Sequence, residues 1–130
     1  MKIRIHYHHT DCGGVVYYSR YLDFLEEARA EFFESMGFSI RELMDRGVMF
    51  AVSRQEIDYK RPARYGDVVE VRARVAAASG ARVEFVYELD DQGGRRLAEA
   101  RTILVCLSAG MKPRRLPEDV AARLAERTSR

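Results

Sequence analysis

The chain has 130 residues, of which 47% are hydrophobic and 32% charged. That is enough for one buried core and ordinary for a soluble globular domain. A formal net charge of +2, with acids and bases interspersed, excludes the basic footprint of a nucleic-acid binder.

No apolar run approaches membrane-spanning length, and Met1-Lys2-Ile3-Arg4-Ile5-His6 has no signal-peptide core. Cys12 and Cys106 sit in no zinc or redox spacing, which fits reduced thiols in the cytoplasm.

Residues 3–9 alternate and read as a strand, with Ile3, Ile5 and Tyr7 on one face and Arg4, His6 and His8 on the other. A turn with Gly13 and Gly14 follows. From about Tyr17 to Met36 the spacing becomes helical: Tyr18, Tyr21, Leu22, Leu25, Ala28, Phe32 and Met36 share a face. Arg29 is the polar exception, and Glu26 three residues earlier is a candidate partner for it. Gly37 is a natural stop, and Ser39-Ile40-Arg41-Glu42 fits a capping box for a short helix ending near Gly47.

The remainder reads as β. Residues 49–60 form a strand of poor alternation. Residues 68–76 alternate cleanly, Ser79-Gly80 marks a hairpin, and Val83, Phe85, Tyr87 and Leu89 line one face of the next strand. A turn at 90–94 leads to a strand over 96–107, and Pro117-Glu118-Asp119 opens a short terminal helix. The order predicts four strands in meander, an antiparallel sheet packed on one long helix, as a single domain over 1–130.

Asp11 carries the chemistry. It sits in a turn between a strand and a helix N-terminus, where unpaired N–H groups and the helix dipole can polarise a carbonyl. A carboxylate there can attack that carbonyl or activate water. The same residue type also serves as an ordinary turn or N-cap residue. His6, His8, His9, Asp11 and Cys12 offer zinc-ligand types in no zinc spacing, so no metal site is expected. Cys12 beside His9 lacks an orienting group for nucleophilic work.

The pattern Tyr7-x-x-x-Asp11-x-x-Gly14-Val15-Val16-Tyr17-Tyr18-x-x-Tyr21-Leu22-x-Phe24-x-Glu26-x-Ala28-Arg29 resembles the 4-hydroxybenzoyl-CoA and YbgC-like acyl-CoA thioesterases. The similarity continues through Tyr59-Lys60-Arg61-Pro62-Ala63-Arg64-Tyr65-Gly66-Asp67. It implies the α+β hotdog fold, a curved antiparallel sheet wrapped around one long helix.

It also implies hydrolysis of an acyl-CoA thioester, with Asp11 as nucleophile or general base. The Tyr18 N–H would bind the thioester oxygen, and Tyr7 would orient the acid. Where YbgC-like members commonly have histidine this chain has Tyr18, as the hydroxybenzoyl branch does; the backbone role survives either way. Gly14, Val16 and Tyr17 fall at the substrate, and Lys60, Arg61, Arg64 and Arg82 are candidates for the coenzyme A phosphates, with Arg114 and Arg115 behind them. No cofactor beyond coenzyme A as part of the substrate is implied. Assembly as a homodimer or homotetramer is. A non-hydrolytic acyl-CoA binder, or an acyl-thioester hydratase or dehydratase, are the alternatives on the same fold.

Overall fold

The computed structural model describes residues 1–128. Strands β1 (Lys2–Arg4), β2 (Met49–Tyr59), β3 (Val68–Ser79), β4 (Arg82–Asp90) and β5 (Arg96–Leu107) form one antiparallel sheet in the order β1-β3-β4-β5-β2. Helix α1 (Arg20–Ser35) lies against it, with α2 (Ile40–Asp45) following and α3 (Glu118–Arg127) packed on β3. This is the hotdog arrangement.

The core forms where the apolar stripe of α1 meets one face of the sheet. Phe24, Leu25, Ala28 and Phe33 are buried against Val69, Val71, Val75, Val83, Phe85 and Leu89. Full burial of side chains of this size is worth about 1.5–3 kcal/mol each. The other sheet face is polar: Arg72 pairs with Asp90, and Arg101 with Glu84 at 2.8 Å. The period-2 pattern of β3 and β4 expresses that division.

Several expectations are corrected. The first strand stops at Arg4, because its partner β3 begins at Val68 and there is no ladder beyond. Residues Tyr7–His9 turn instead as a 3-10 helix, which leaves Tyr7 exposed rather than facing inward with Ile5. Helix α1 starts at Arg20 rather than about Tyr17: residues 17–19 form the turn that leads into it, with the Arg20 N–H donating to Tyr17 O at 2.9 Å and the Tyr17 N–H tied back to the His9 carbonyl at 3.0 Å.

The four later strands are not a simple meander. β3, β4 and β5 are, but β2 pairs with β5 and becomes the sheet edge. A bulge between Val52 and Arg54 breaks the alternation of β2, which accounts for its weak pattern. The Ser39 cap forms as expected, its Oγ accepting the Glu42 N–H at 3.0 Å. Arg29 does not pair with Glu26; its Nη1 donates to the Tyr87 hydroxyl at 3.1 Å.

Candidate active site

Asp11 sits at the start of a tight hairpin. Its N–H donates to the Val15 carbonyl at 3.0 Å, and Thr10 and Val16 bridge across the base. Val16 in turn donates to the Ala63 carbonyl at 2.8 Å, and the Tyr65 N–H reaches Gly14 O at 3.2 Å. The stretch from Tyr59 to Asp67 is therefore the strap that holds the acidic hairpin against the sheet.

Within the hairpin, Asp11 Oδ1 accepts the Gly13 N–H at 2.7 Å. A Cβ at Gly13 would stand 3.3 Å from that oxygen, too tight to be comfortable. Gly14 has φ +77°, a left-handed conformation that glycine adopts without penalty. Among the described residues the second carboxylate oxygen of Asp11 accepts no hydrogen bond, and the side chain is exposed. One oxygen is thus held by the backbone and the other is unpartnered.

Tyr18 follows directly, in the turn that leads into α1. Tyr17 O and Tyr18 O accept the N–H groups of Arg20 and Tyr21 at 2.9 and 3.4 Å. The Tyr18 N–H itself donates to no carbonyl among the described residues. It sits at the open N-terminal end of a 16-residue helix, where the partial positive charge gathers. The rings of Tyr17 and Tyr18 stack with centroids 4.7 Å apart.

Beside Tyr18 a cleft of about 250 Å³ is lined by Val16, Tyr18, Tyr21, Tyr59, Lys60, Arg61 and Pro62. Tyr59 and Tyr21 were not singled out as site residues in the sequence. Tyr59 donates its hydroxyl to the Tyr18 carbonyl at 3.2 Å, and Tyr21 accepts the Ala63 N–H at 3.3 Å. Burial pushes the hydroxyls of both above the ordinary tyrosine range, so both stay neutral, Tyr59 as donor and Tyr21 as acceptor. The signal for Tyr59 was its place at the head of the Tyr59–Asp67 motif.

The structure brings Asp11, Gly14, Val16, Tyr17, Tyr18, Lys60 and Arg61 to one end of the sheet. Arg64 bridges Val15 through its backbone and stands beside the hairpin without lining the cleft. Arg82 does not join this group within one protomer. It pairs with Val105, whereas the cleft rests on Leu97 at the opposite end of β5. Arg114 lies at that distant end too, its Nη1 3.4 Å from Gly47 O. Tyr7 makes no hydrogen bond to Asp11; its ring packs edge-on against Tyr65 at 6.3 Å, and the Gly13 amide holds the acid instead.

The histidines cluster at the 3-10 turn: the His6 and His8 rings stack with centroids 5.8 Å apart, and His9 is tilted against His8 at 4.1 Å. Among the described residues no three His, Cys, Asp or Glu side chains are arranged to hold a metal ion. Cys12 is exposed, and Cys106 is buried. No described helix is long and apolar enough to cross a membrane. A larger apolar cavity of about 580 Å³ lies between α1, α2 and β2, and shares no lining residue with the Tyr18 cleft.

Comparison with known proteins identifies the family. Residues 5–124 match the model of the thioesterase-like superfamily. The chain is 35% identical over 121 residues to the acyl-CoA thioester hydrolase YbgC of Escherichia coli, covering 92% of this chain and 90% of that protein. It is 34% identical over 122 residues to the acyl-CoA thioesterase YbgC of Haemophilus influenzae, covering 92% and 89%. Among solved structures, a hypothetical protein of Thermus thermophilus superposes with a TM-score of 0.92 at 36% identity, covering 97% and 96%. The DHNA-CoA thioesterase of Staphylococcus aureus gives 0.93 at 27% identity, covering 97% and 87%. With a match of that extent and an acidic hairpin opening onto a long helix, this chain belongs to the thioesterase-like superfamily.

Proposed function

We propose that this protein hydrolyses acyl-CoA thioesters, with Asp11 and the Tyr18 N–H as the reacting pair. The observation that carries the reading is the Asp11 carboxylate on the hairpin that leads into α1: Oδ1 is tied to the Gly13 N–H at 2.7 Å, the other oxygen accepts no hydrogen bond among the described residues, and the Tyr18 N–H at the end of the same hairpin segment is likewise without a carbonyl partner. The YbgC relatives, named as acyl-CoA thioester hydrolases, support the same activity.

The thioester oxygen would sit on the Tyr18 N–H, assisted by neighbouring turn amides. Preorganised donors of this kind are worth about 3–4 kcal/mol in the transition state. Asp11 then attacks the carbonyl carbon, the C–S bond breaks, and coenzyme A leaves as thiolate. Water hydrolyses the resulting mixed anhydride, releasing the acid and restoring the carboxylate. In the alternative route Asp11 takes a proton from water, which attacks directly. A thiolate is a good leaving group, so neither route calls on a metal or redox cofactor. The proposed setting is the cytoplasm, where the exposed Cys12 thiol would stay reduced.

Lys60 and Arg61 would meet the carrier phosphates. The small volume of the cleft and its tyrosine walls support a compact acyl group, short-chain or aromatic. A second copy would close the cleft: β2 presents an eleven-residue open edge with Val52 and Tyr59 exposed, and open edges are normally covered. A homodimer joined across β2, or a tetramer of such dimers, satisfies that edge.

The test is kcat/KM for benzoyl-, butyryl- and palmitoyl-CoA, read by release of free thiol. Turnover concentrated on the first two is expected. A preference for palmitoyl-CoA would mean that the chain runs on into the larger cavity and would overturn the compact reading. Absence of thiol release from every substrate would overturn the activity.

A further inference from the structure

Two residues before Asp11 stands a side chain that no step of the hydrolysis uses. His9 closes the 3-10 turn by a reciprocal pair of bonds: its N–H donates to His6 O at 3.0 Å, and its Nδ1 accepts the His6 N–H at 2.9 Å. The first bond is backbone, and any residue but proline makes it. The second needs an acceptor on the side chain. His6 is held in its turn, since Ile5 before it donates to Asp67 O at 2.8 Å and accepts the Gly66 N–H at 3.0 Å. The imidazole therefore ties the turn to the same strap that holds the acidic hairpin.

From His9 the connection runs on to both reacting groups. Its carbonyl accepts the N–H of Tyr17, the residue before Tyr18, at 3.0 Å. Its neighbour Thr10 bridges Val16 across the base of the hairpin that starts at Asp11. Its ring packs edge-on against Phe24 of α1, with centroids 5.3 Å apart. Asp11 and Tyr18 are thus both referred to one residue. Their placement matters, because a shift of about 1 Å in a reacting geometry can cost roughly a hundredfold in rate.

This latch needs a neutral ring. A protonated imidazole is a donor at both nitrogens and cannot accept the His6 N–H. The charged and titratable groups around it are His6 and His8 on its own turn, and Arg20, Asp23, Glu26 and Glu27 on α1. Arg20 lies 3.6 Å from Asp23, so that carboxylate is already engaged. Partial burial, then His8, His6 and Arg20, hold the imidazole below its ordinary 6.5 against the weaker pull of Asp23. We propose that His9 is a positioning residue for the hydrolysis: its neutral imidazole keeps the Asp11 hairpin and the Tyr18 N–H in register, and protonation of the ring lowers turnover. The inference rests on the Asp11 and Tyr18 reading above. In the sequence His9 is one of three imidazoles with ligand chemistry and no ligand spacing; the turn that folds Nδ1 onto His6 gives it a different task.

The experiment compares the wild-type protein with His9→Asn, which keeps an acceptor that does not titrate, and His9→Ala, which loses the acceptor. kcat and KM are measured by thiol release from benzoyl-CoA and butyryl-CoA between pH 5.5 and 7.5. At the upper pH, His9→Ala is expected to lose roughly tenfold in kcat with KM little changed, and His9→Asn to keep most of its turnover. The wild-type kcat is expected to fall as pH drops below 6.5, the ordinary value from which His9 is lowered, and His9→Asn to lack that limb. Equal losses of kcat in the two variants, or the same limb in His9→Asn, would overturn the proposal. Amide hydrogen exchange gives a readout that needs no substrate. Protection of the Tyr17 N–H should fall with acid in the wild-type protein while the amides of β4 stay protected, and should stay level in His9→Asn. That result supports the latch even if no thioester is hydrolysed. Level protection of Tyr17 in the wild-type protein overturns it even if Asp11 proves essential.

Discussion

His9 Nδ1 accepts the His6 N–H at 2.9 Å, so the 3-10 turn before the acidic hairpin is closed by an imidazole that must be unprotonated at that nitrogen. The same residue offers its carbonyl to the Tyr17 N–H. His9 thus joins the first turn to the entry of α1.

This relationship predicts a pH dependence of stability. The His9 imidazole lies below its ordinary value of 6.5, first because it is partly buried and then because His8, His6 and Arg20 are close; Asp23 opposes them weakly. Phe24 packs edge-on against the ring at 5.3 Å. The unfolded chain protonates His9 near 6.5, and the folded chain does so only at lower pH. As pH falls below 6.5 the unfolded state takes up more protons, so stability declines, and above 6.5 His9 contributes no pH dependence. Denaturant midpoints are expected to be lower at pH 5.5 than at pH 7.5. His9→Asn, whose Oδ1 can accept the same N–H without titrating, should flatten that difference. An equal difference in the variant would show that His9 is not its source.

Asp11→Asn keeps the shape of the side chain and its acceptor for the Gly13 N–H, but removes nucleophile and base alike. Turnover of a good acyl-CoA should fall by about a hundredfold or more in kcat, with the unfolding midpoint nearly unchanged. Near-wild-type kcat in a clean preparation would reduce Asp11 to a turn residue.

The two glycines of the hairpin should separate stability from activity. Gly14→Ala forces a side chain into φ +77° with open space around it, so the cost is conformational, about 1–2 kcal/mol, and appears in thermal unfolding. Gly13→Ala places its methyl group 3.3 Å from Asp11 Oδ1, so it should displace the carboxylate and lower kcat several-fold on the scale of a lost positioning contact. Equal effects of both variants on kcat would argue against the Asp11–Gly13 contact as the positioning device.

Light scattering at micromolar concentration should give a mass at least twice the 15.0 kDa of one chain. Val52→Lys on the open face of β2 is expected to shift the protein towards monomer, since charge on an edge discourages pairing. A monomeric wild-type protein would remove the proposed closure of the cleft.

Much of this molecule was legible from local pattern. The helix face of Phe24, Leu25, Ala28 and Phe33, the alternation of β3 and β4, the Ser39 cap and the acidic glycine turn all follow from periodicity and turn chemistry, which act over a few residues. Asp11 and Tyr18 stand on one hairpin-to-helix segment, seven residues apart in sequence, so their common placement was legible for the same reason. Tertiary structure decided what depends on which segments meet. It put β2 beside β5, ended the first strand at Arg4 where β3 runs out, and moved Arg82 away from the cleft. It also brought Tyr59 to the Tyr18 carbonyl. Strand order and sheet register arise from long-range pairing, and a sequence pattern that fixes which face of a strand is buried carries no record of its neighbour.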